Sequence, residues 1–333
     1  MPKIVFCELE KWEEDSLRNA FPGQDVVLTE EKIEDSTLAK YQDAQIISTF
    51  IYTQFNKELL EKLPNLKFIA TRSMGFDHID IDTCRQKGIK VANVPTYGAH
   101  TVAEHTFALI LAISRKLIPS VEQARKGNFS SEGLEGFDLN GKTLGVVGTG
   151  NIGKNVCELG LSFGMRVLAF SRSENPELTA KGVKYVSLDE LLQESDIVSL
   201  HLPHDSQTEH IINMGNINKF KKGAVLINTA RGALVETQAI AEGLQKGILS
   251  AAGLDVLEEE AHLREEAELL SEDYLKSVDI KTELINHVLL TKDNVVITPH
   301  NAFNSKEAVK EILDTTIANI KNFINNTPIN IIE

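Results

Sequence analysis

The sequence predicts an α/β protein of two domains, each a doubly wound parallel sheet. Three observations carry that reading. Short apolar runs alternate with helical patterns along the chain, as happens when crossover helices join parallel strands. At 333 residues the chain exceeds what one core ordinarily organises. Finally, Gly148-Thr149-Gly150-Asn151-Ile152-Gly153 follows the apolar run Thr143–Val147 directly and opens a helical pattern.

In the first part, Lys3–Cys7, Asp25–Thr29, Gln45–Thr49, Leu66–Thr71 and Lys90–Val94 read as short buried strands, and ligands then belong at their C-terminal ends. The segment Arg72–Asp77 follows one such end. Gly75 there permits a backbone that offers amides to a small anion, although by itself the segment reads as a plain strand-to-helix turn. Pro95 and Gly98 interrupt the alternation and mark a domain crossing. A long helix is expected next, from Thr101 to Leu117. Its run Phe107–Ile113 is apolar on every side, so it lies either central in its own domain or against a second subunit.

In the glycine turn, Gly148 makes the tight bend, Gly150 lets backbone approach phosphate and Gly153 lets helix and strand pack closely. The first amides of the helix would then hold a pyrophosphate. Strands are expected at Arg166–Ser171, Asp196–His201, Ala224–Thr229, Ala251–Val256 and Val295–Thr298, and a final helix, Lys306–Phe323, returns to the first domain. This sets the domains at 1–98 with 303–333, and 99–302. The charged stretch between Glu258 and Lys292 is expected to be a solvated surface excursion.

With 34 basic against 48 acidic residues, the net charge of −14 repels nucleic acid and anionic lipid. Acids near the start stand where a signal peptide needs an apolar core, and no run is long enough to span a bilayer, which predicts a cytoplasmic protein without a membrane partner. Cys7, Cys84 and Cys157 are few and far apart. They read as buried free thiols, and no metal site is expected.

Three groups at late strand ends suit acid/base work on a small carboxylic acid. Arg231, in Asn-Thr-Ala-Arg-Gly, has a planar fork that matches a carboxylate, though a surface arginine would end a strand equally well. His300, in Thr-Pro-His-Asn-Ala, is placed to protonate a carbonyl oxygen, or else is structural. Glu260 ends an acidic run and by composition alone would face solvent.

The chain carries, in order, Arg-Ser-Met-Gly-Phe-Asp, Asn-Val-Pro-Thr-Tyr, Ala-Glu-His, Gly-x-Gly-x-x-Gly, His-Leu-Pro, Asn-Thr-Ala-Arg-Gly, Gly-Leu-Asp-Val-Leu-Glu-Glu-Glu and Thr-Pro-His-Asn-Ala. In these blocks it resembles the D-isomer-specific 2-hydroxyacid dehydrogenases over nearly its whole length. The resemblance implies a flavodoxin-like substrate domain, a Rossmann dinucleotide-binding domain and a homodimer. The activity it implies interconverts a 2-oxo acid and a D-2-hydroxy acid with NAD or NADP.

It assigns Arg231 to the substrate carboxylate and carbonyl, His300 to proton donation and Glu260 to the other ring nitrogen. Met74 and Gly75 would complete the carboxylate site, and Tyr97, Phe50 and Tyr52 would line the substrate side. The cofactor would run along Gly148, Gly150, Asn151, Ile152, Gly153, Ser171, Arg172, Leu202, Pro203, Thr208, Thr229, Ala230, Arg231, Asp255 and His300.

The stretch between Glu260 and His300 resembles the D-lactate dehydrogenase branch in length. Alternatives are glyoxylate, hydroxypyruvate or phosphoglycerate specificity, an NAD(H)-sensing interaction protein of the corepressor kind, and a formate-type enzyme. One position departs from the common pattern. Ser171 stands where an NAD-preferring site carries an acid, and with Arg172 beside it the balance tips toward NADP being used.

Overall fold

The computed structural model describes residues 2–258 and 279–332. Two compact units make up the chain, Met1–Gly98 with Ser305–Glu333, and Ala99–Asn304.

In the first unit, β1 (Lys3–Phe6), β2 (Asp25–Leu28), β3 (Ile46–Thr49), β4 (Phe68–Thr71) and β5 (Lys90–Ala92) form a parallel sheet in the order β2-β1-β3-β4-β5. Helices α1 (Glu14–Ala20), α2 (Lys57–Glu61) and α3 (Ile81–Lys87) accompany it. Alternate residues along a strand face opposite sides. Thus Ile4 and Phe6 join Leu17 and Phe68 in one core, while Val5 and Cys7 join Leu60 and Ile69 in the other. Because both faces are covered, the strands read as continuous apolar runs.

The second unit holds a seven-stranded parallel sheet in the order β12-β11-β10-β9-β6-β7-β8. Its strands are β6 (Thr143–Val147), β7 (Arg166–Phe170), β8 (Lys184–Tyr185), β9 (Ile197–Leu200), β10 (Ala224–Asn228), β11 (Leu249–Leu254) and β12 (Val295–Ile297). Its helices are α4 (Ala99–Ser114), α5 (Leu117–Arg125), α6 (Asn151–Ser162), α7 (Pro176–Ala180), α8 (Leu188–Glu194), α9 (Thr237–Gln245) and α10 (Ile280–Leu290). The last helix, α11 (Lys306–Ile324), belongs to the first unit, where Leu313 and Ile320 enter the core. The expected class of two parallel α/β sheets is met.

Two local expectations are corrected. The helix does not run to Leu117: it stops at Ser114, Lys116 takes a left-handed φ of 50°, and α5 begins at Leu117. The returning chain causes the stop. The amide of Phe137 donates to the Ser114 carbonyl at 2.8 Å, and a Cβ on Gly136 would lie 2.0 Å from that oxygen. Most apolar residues of α4, including Ala103, Phe107, Leu109, Ile110 and Ile113, are covered by their own unit. The second correction concerns the charged stretch: residues 259–278 lie outside the described residues, and the part that follows them is not a solvated excursion. There α10 is capped by Asp279 and buries Asn286 and Leu289, although Leu284 and Val288 are exposed.

The three cysteines are free and buried, and burial pushes the Cys7 and Cys157 thiols up to about 12 and Cys84 to about 11. Among the described residues no helix is long and apolar enough to cross a membrane.

Candidate functional site

Chain order reverses at one place in each sheet, between β1 and β3 and between β6 and β9. In open α/β sheets ligands lie at the C-terminal strand ends beside that reversal. The glycine turn sits there in the second unit.

Gly148 has a φ of 98°, and a Cβ on it would meet the His201 carbonyl at 2.6 Å. A Cβ on Gly153 would lie 1.9 Å from the Gly148 carbonyl, so close helix-to-turn packing requires glycine at both positions. Gly150 differs. It is the N-cap of α6, no side chain caps the helix, and a Cβ would have nothing within 4 Å. No side chain therefore caps the amides that open α6, including those of Asn151 and Ile152, and uncapped helix amides are what an anion site requires.

Across the reversal, the Nδ1 of His201 is buried without a partner while Nε2 lies 2.8 Å from Ser199 Oγ. Burial pushes this imidazole down to about 3, which keeps it neutral. Leu202 and the exposed Pro203 follow it on the strand end.

At the end of β7 the acid expected of an NAD site is missing, yet a carboxylate reaches the same neighbourhood. Arg172 Nη2 lies 2.8 Å from Asp205 Oδ2. Asp205 closes a small turn by accepting from the Gln207 and Thr208 amides. Those bonds, with Gln207 first, hold its carboxyl below the usual range. Thr208 is buried, and its hydroxyl donates to the Pro203 carbonyl at 2.7 Å, so it shapes this loop from within.

Parallel order brings the ends of β10, β11 and β12 to the same edge. After β10, Asn228 builds the turn: its Nδ2 donates to the Arg231 carbonyl and its Oδ1 accepts from the Ala230 amide. Thr229 is pinned by a 2.9 Å contact between its hydroxyl and Thr106 of α4. Gly232 follows because a Cβ there would lie 2.1 Å from the Leu257 carbonyl.

After β12, His300 takes a left-handed φ of 51°, and its amide donates to the carbonyls of Asp255 and Thr298, each at 2.9 Å. The buried Asp255 carboxylate accepts from the Asn301 amide at 3.0 Å, the Ala302 amide at 2.9 Å and the Thr298 hydroxyl. A strained backbone held from several sides is characteristic of a functional position. Asp255 is therefore the anchor of the His300 turn. Glu260 lies outside the described residues. Its neighbour Glu258 is already engaged, with one oxygen on His210 Nε2 and the other on the Thr237 amide.

In the first unit, the loop after β4 is tied back by its carbonyls. Asn93 Nδ2 donates to Met74 O at 2.7 Å, and Ser73 Oγ donates to Gly75 O at 2.6 Å. Phe50 and Tyr52 follow β3 at the sheet reversal and pack edge to face, with centroids 5.6 Å apart. Tyr97 is buried.

Two contributions escape a reading of the sequence. Asp205 gives no local signal, because its partner Arg172 comes from a different strand end. His105 belongs to a recognisable Ala-Glu-His block, but its contact, Nε2 at 3.0 Å from Thr298 Oγ1, spans almost the whole second unit in sequence. It braces the His300 turn from α4.

Comparison with known proteins identifies the family. A family model described as the D-isomer specific 2-hydroxyacid dehydrogenase NAD binding domain matches residues 107–302, more than half the chain. The D-lactate dehydrogenase of Escherichia coli K12 is 35% identical over 300 residues, covering 90% of this chain and 87% of that protein. The hydroxypyruvate reductase of Thermotoga maritima is 36% identical over 290 residues, covering 87% and 88%. A crystal structure of Aquifex aeolicus D-lactate dehydrogenase, complexed with NAD and lactic acid, superposes with a TM-score of 0.88 at 38% identity, covering 98% of this chain and 96% of that one. The chain therefore belongs to the D-isomer specific 2-hydroxyacid dehydrogenase family and is an NAD-binding oxidoreductase of that family.

Proposed function

We propose that the enzyme reduces a 2-oxo acid to the D-2-hydroxy acid, with pyruvate the first substrate to test. The observation that carries this reading is the shared strand-end edge of the second sheet. Arg231, the Asp255-anchored His300 turn and the uncapped glycine turn all lie on it. Arg231 holds the substrate carboxylate through two parallel hydrogen bonds.

When bound, the nicotinamide supplies a hydride to the carbonyl carbon. His300 gives its proton to the carbonyl oxygen as negative charge develops there. The family resemblance assigns Glu260 to the second ring nitrogen, where a carboxylate stabilises the imidazolium. The turn from Gly148 to Gly153 would hold the pyrophosphate, with Ser171 and Arg172 at the ribose. Leu202, Pro203, Thr229 and Ala230 would flank the rest of the cofactor.

Resemblance to hydroxypyruvate reductases at a similar level supports hydroxypyruvate as a second substrate. Loss of reduced-nicotinamide absorbance with pyruvate, hydroxypyruvate, glyoxylate and bulkier oxo acids tests the reading. A flat trace with every acid, alongside tight NADH binding, would instead identify a cofactor-sensing module.

The cofactor reading extends to the 2′ position. Ser171 imposes no repulsion on a phosphate, and Arg172 attracts one, but Asp205 competes for that arginine. Both NAD(H) and NADP(H) should therefore be used. Asp205→Asn keeps the turn, since asparagine accepts the same amide bonds, but frees Arg172. It should raise the NADPH-to-NADH ratio of kcat/KM by about 3- to 10-fold, modest because the pair is solvent-exposed. Ser171→Asp should move the ratio the other way. Unchanged ratios in both variants would refute the pocket.

The homodimer is proposed to use α5 rather than α4. No residue of α5 is buried, and Leu117, Ile118, Val121 and the following Phe129 are all exposed. Light scattering should give a dimeric mass, and Val121→Glu with Phe129→Ser should lower it. A monomeric mass for the unmodified protein would contradict this.

A further inference from the structure

In the first unit, Glu8 stands just beyond β1, at the sheet reversal, and holds a left-handed φ of 58° that a glutamate adopts only at a cost. The carboxylate turns toward the neighbouring strand end. Its Oε1 accepts from the Thr49 hydroxyl at 2.9 Å, the Thr53 amide at 2.7 Å and the Thr53 hydroxyl. Its Oε2 accepts from the amides of Phe50 at 2.8 Å and Tyr52 at 3.1 Å. Five donors converge on one nearly buried carboxylate, and three of them are the backbone of a single loop.

Glu8 is itself fixed. The buried Arg72 donates from Nη2 to the carbonyls of Cys7 at 2.9 Å and Glu8 at 2.7 Å, and from Nη1 to Ser48 Oγ at 3.2 Å. Its Nε lies 3.5 Å from Glu13 Oε1. Arg72 opens the loop that carries Met74 and Gly75, and Thr71 beside it donates from its hydroxyl to the Phe50 carbonyl at 3.0 Å. One polar network thus joins the loops after β1, β3 and β4.

We propose that Glu8 is a positioning residue that sets substrate side-chain preference. It aims the Phe50–Tyr52 aromatic pair by gripping the backbone amides of their loop. The proposal rests on Phe50 and Tyr52 lining the substrate side. An apolar chain joining these strand ends would satisfy packing but leave the loop amides without acceptors. A carboxylate accepts on both oxygens, here three donors on Oε1 and two on Oε2, where a neutral side-chain amide would offer one accepting oxygen.

Glu8→Gln keeps the shape but presents an NH2 group to donors. The loop then loses acceptors, and the aromatic pair shifts. KM for 2-oxo acids should rise about 10- to 100-fold. The kcat/KM ratio between pyruvate and phenylpyruvate should change by about 10-fold or more. The NADH dissociation constant, read by fluorescence titration, should stay unchanged, which a general loss of folding would not allow. Thr53→Val removes one donor and retains the carboxylate, so it should move the same ratio in the same direction by less. It decides the matter if Glu8→Gln does not fold.

Phe50→Ala and Tyr52→Ala separate the two layers of the idea. If neither changes the ratio, the substrate-side assignment is wrong and the proposal falls with it. If both change it while Glu8→Gln and Thr53→Val do not, the assignment stands and the role of Glu8 is refuted.

Discussion

Replacing His300 should lower turnover by about 10²- to 10⁴-fold, the usual cost of losing a general acid, while NADH binding stays nearly unchanged. The choice of replacement matters because this residue holds a left-handed φ of 51°. Asparagine enters that region more readily than alanine. His300→Asn thus removes the proton donor with the turn retained, whereas His300→Ala adds backbone strain. Equal turnover losses in the two variants, with melting temperature reduced only for alanine, would assign the loss to chemistry. Near-normal turnover in His300→Asn would remove the histidine from the mechanism.

Gly153→Ala should weaken NADH binding by about 100-fold. The added Cβ would lie 1.9 Å from the Gly148 carbonyl, far inside contact, and both groups belong to backbone that cannot rotate away. The start of α6 must move by more than an ångström, and a displacement of that size can cost about 100-fold. Some stability goes with it, about 1 to 3 kcal/mol for overpacking. Gly150→Ala gives the contrasting case. Nothing lies within 4 Å of its added methyl, so unfolding should be unaffected, and any loss of binding must come from blocking the ligand itself. Fluorescence titration beside thermal melts separates the two effects. Normal NADH affinity in both variants would refute a phosphate site at this turn.

What could be read from the chain was local. The strand-turn-helix at Gly148 and the apolar strands of both sheets were legible because parallel strands buried on two faces leave uninterrupted apolar runs. The end of α4 was not. The apolar pattern continues past Ser114, and the stop comes from Phe137, an amide that arrives from a later loop. The cofactor argument at Ser171 was incomplete for the same reason, since Asp205 meets Arg172 only after the sheet has placed β7 and β9 on opposite sides of β6. Asp255 was expected to contact cofactor. Within its own unit its carboxylate holds residues 298 to 302, a partnership that no spacing rule reveals.

Chirality of the product tests the central claim most directly. With pyruvate and NADH in excess of enzyme, the 2-hydroxy acid is resolved by chiral chromatography while nicotinamide absorbance is followed in the same sample. Membership of the D-isomer specific family, with Arg231 and His300 in the roles proposed above, predicts D-lactate, formed in equal amount to the NADH consumed. Formation of L-lactate, or NADH consumption without any 2-hydroxy acid, would contradict it.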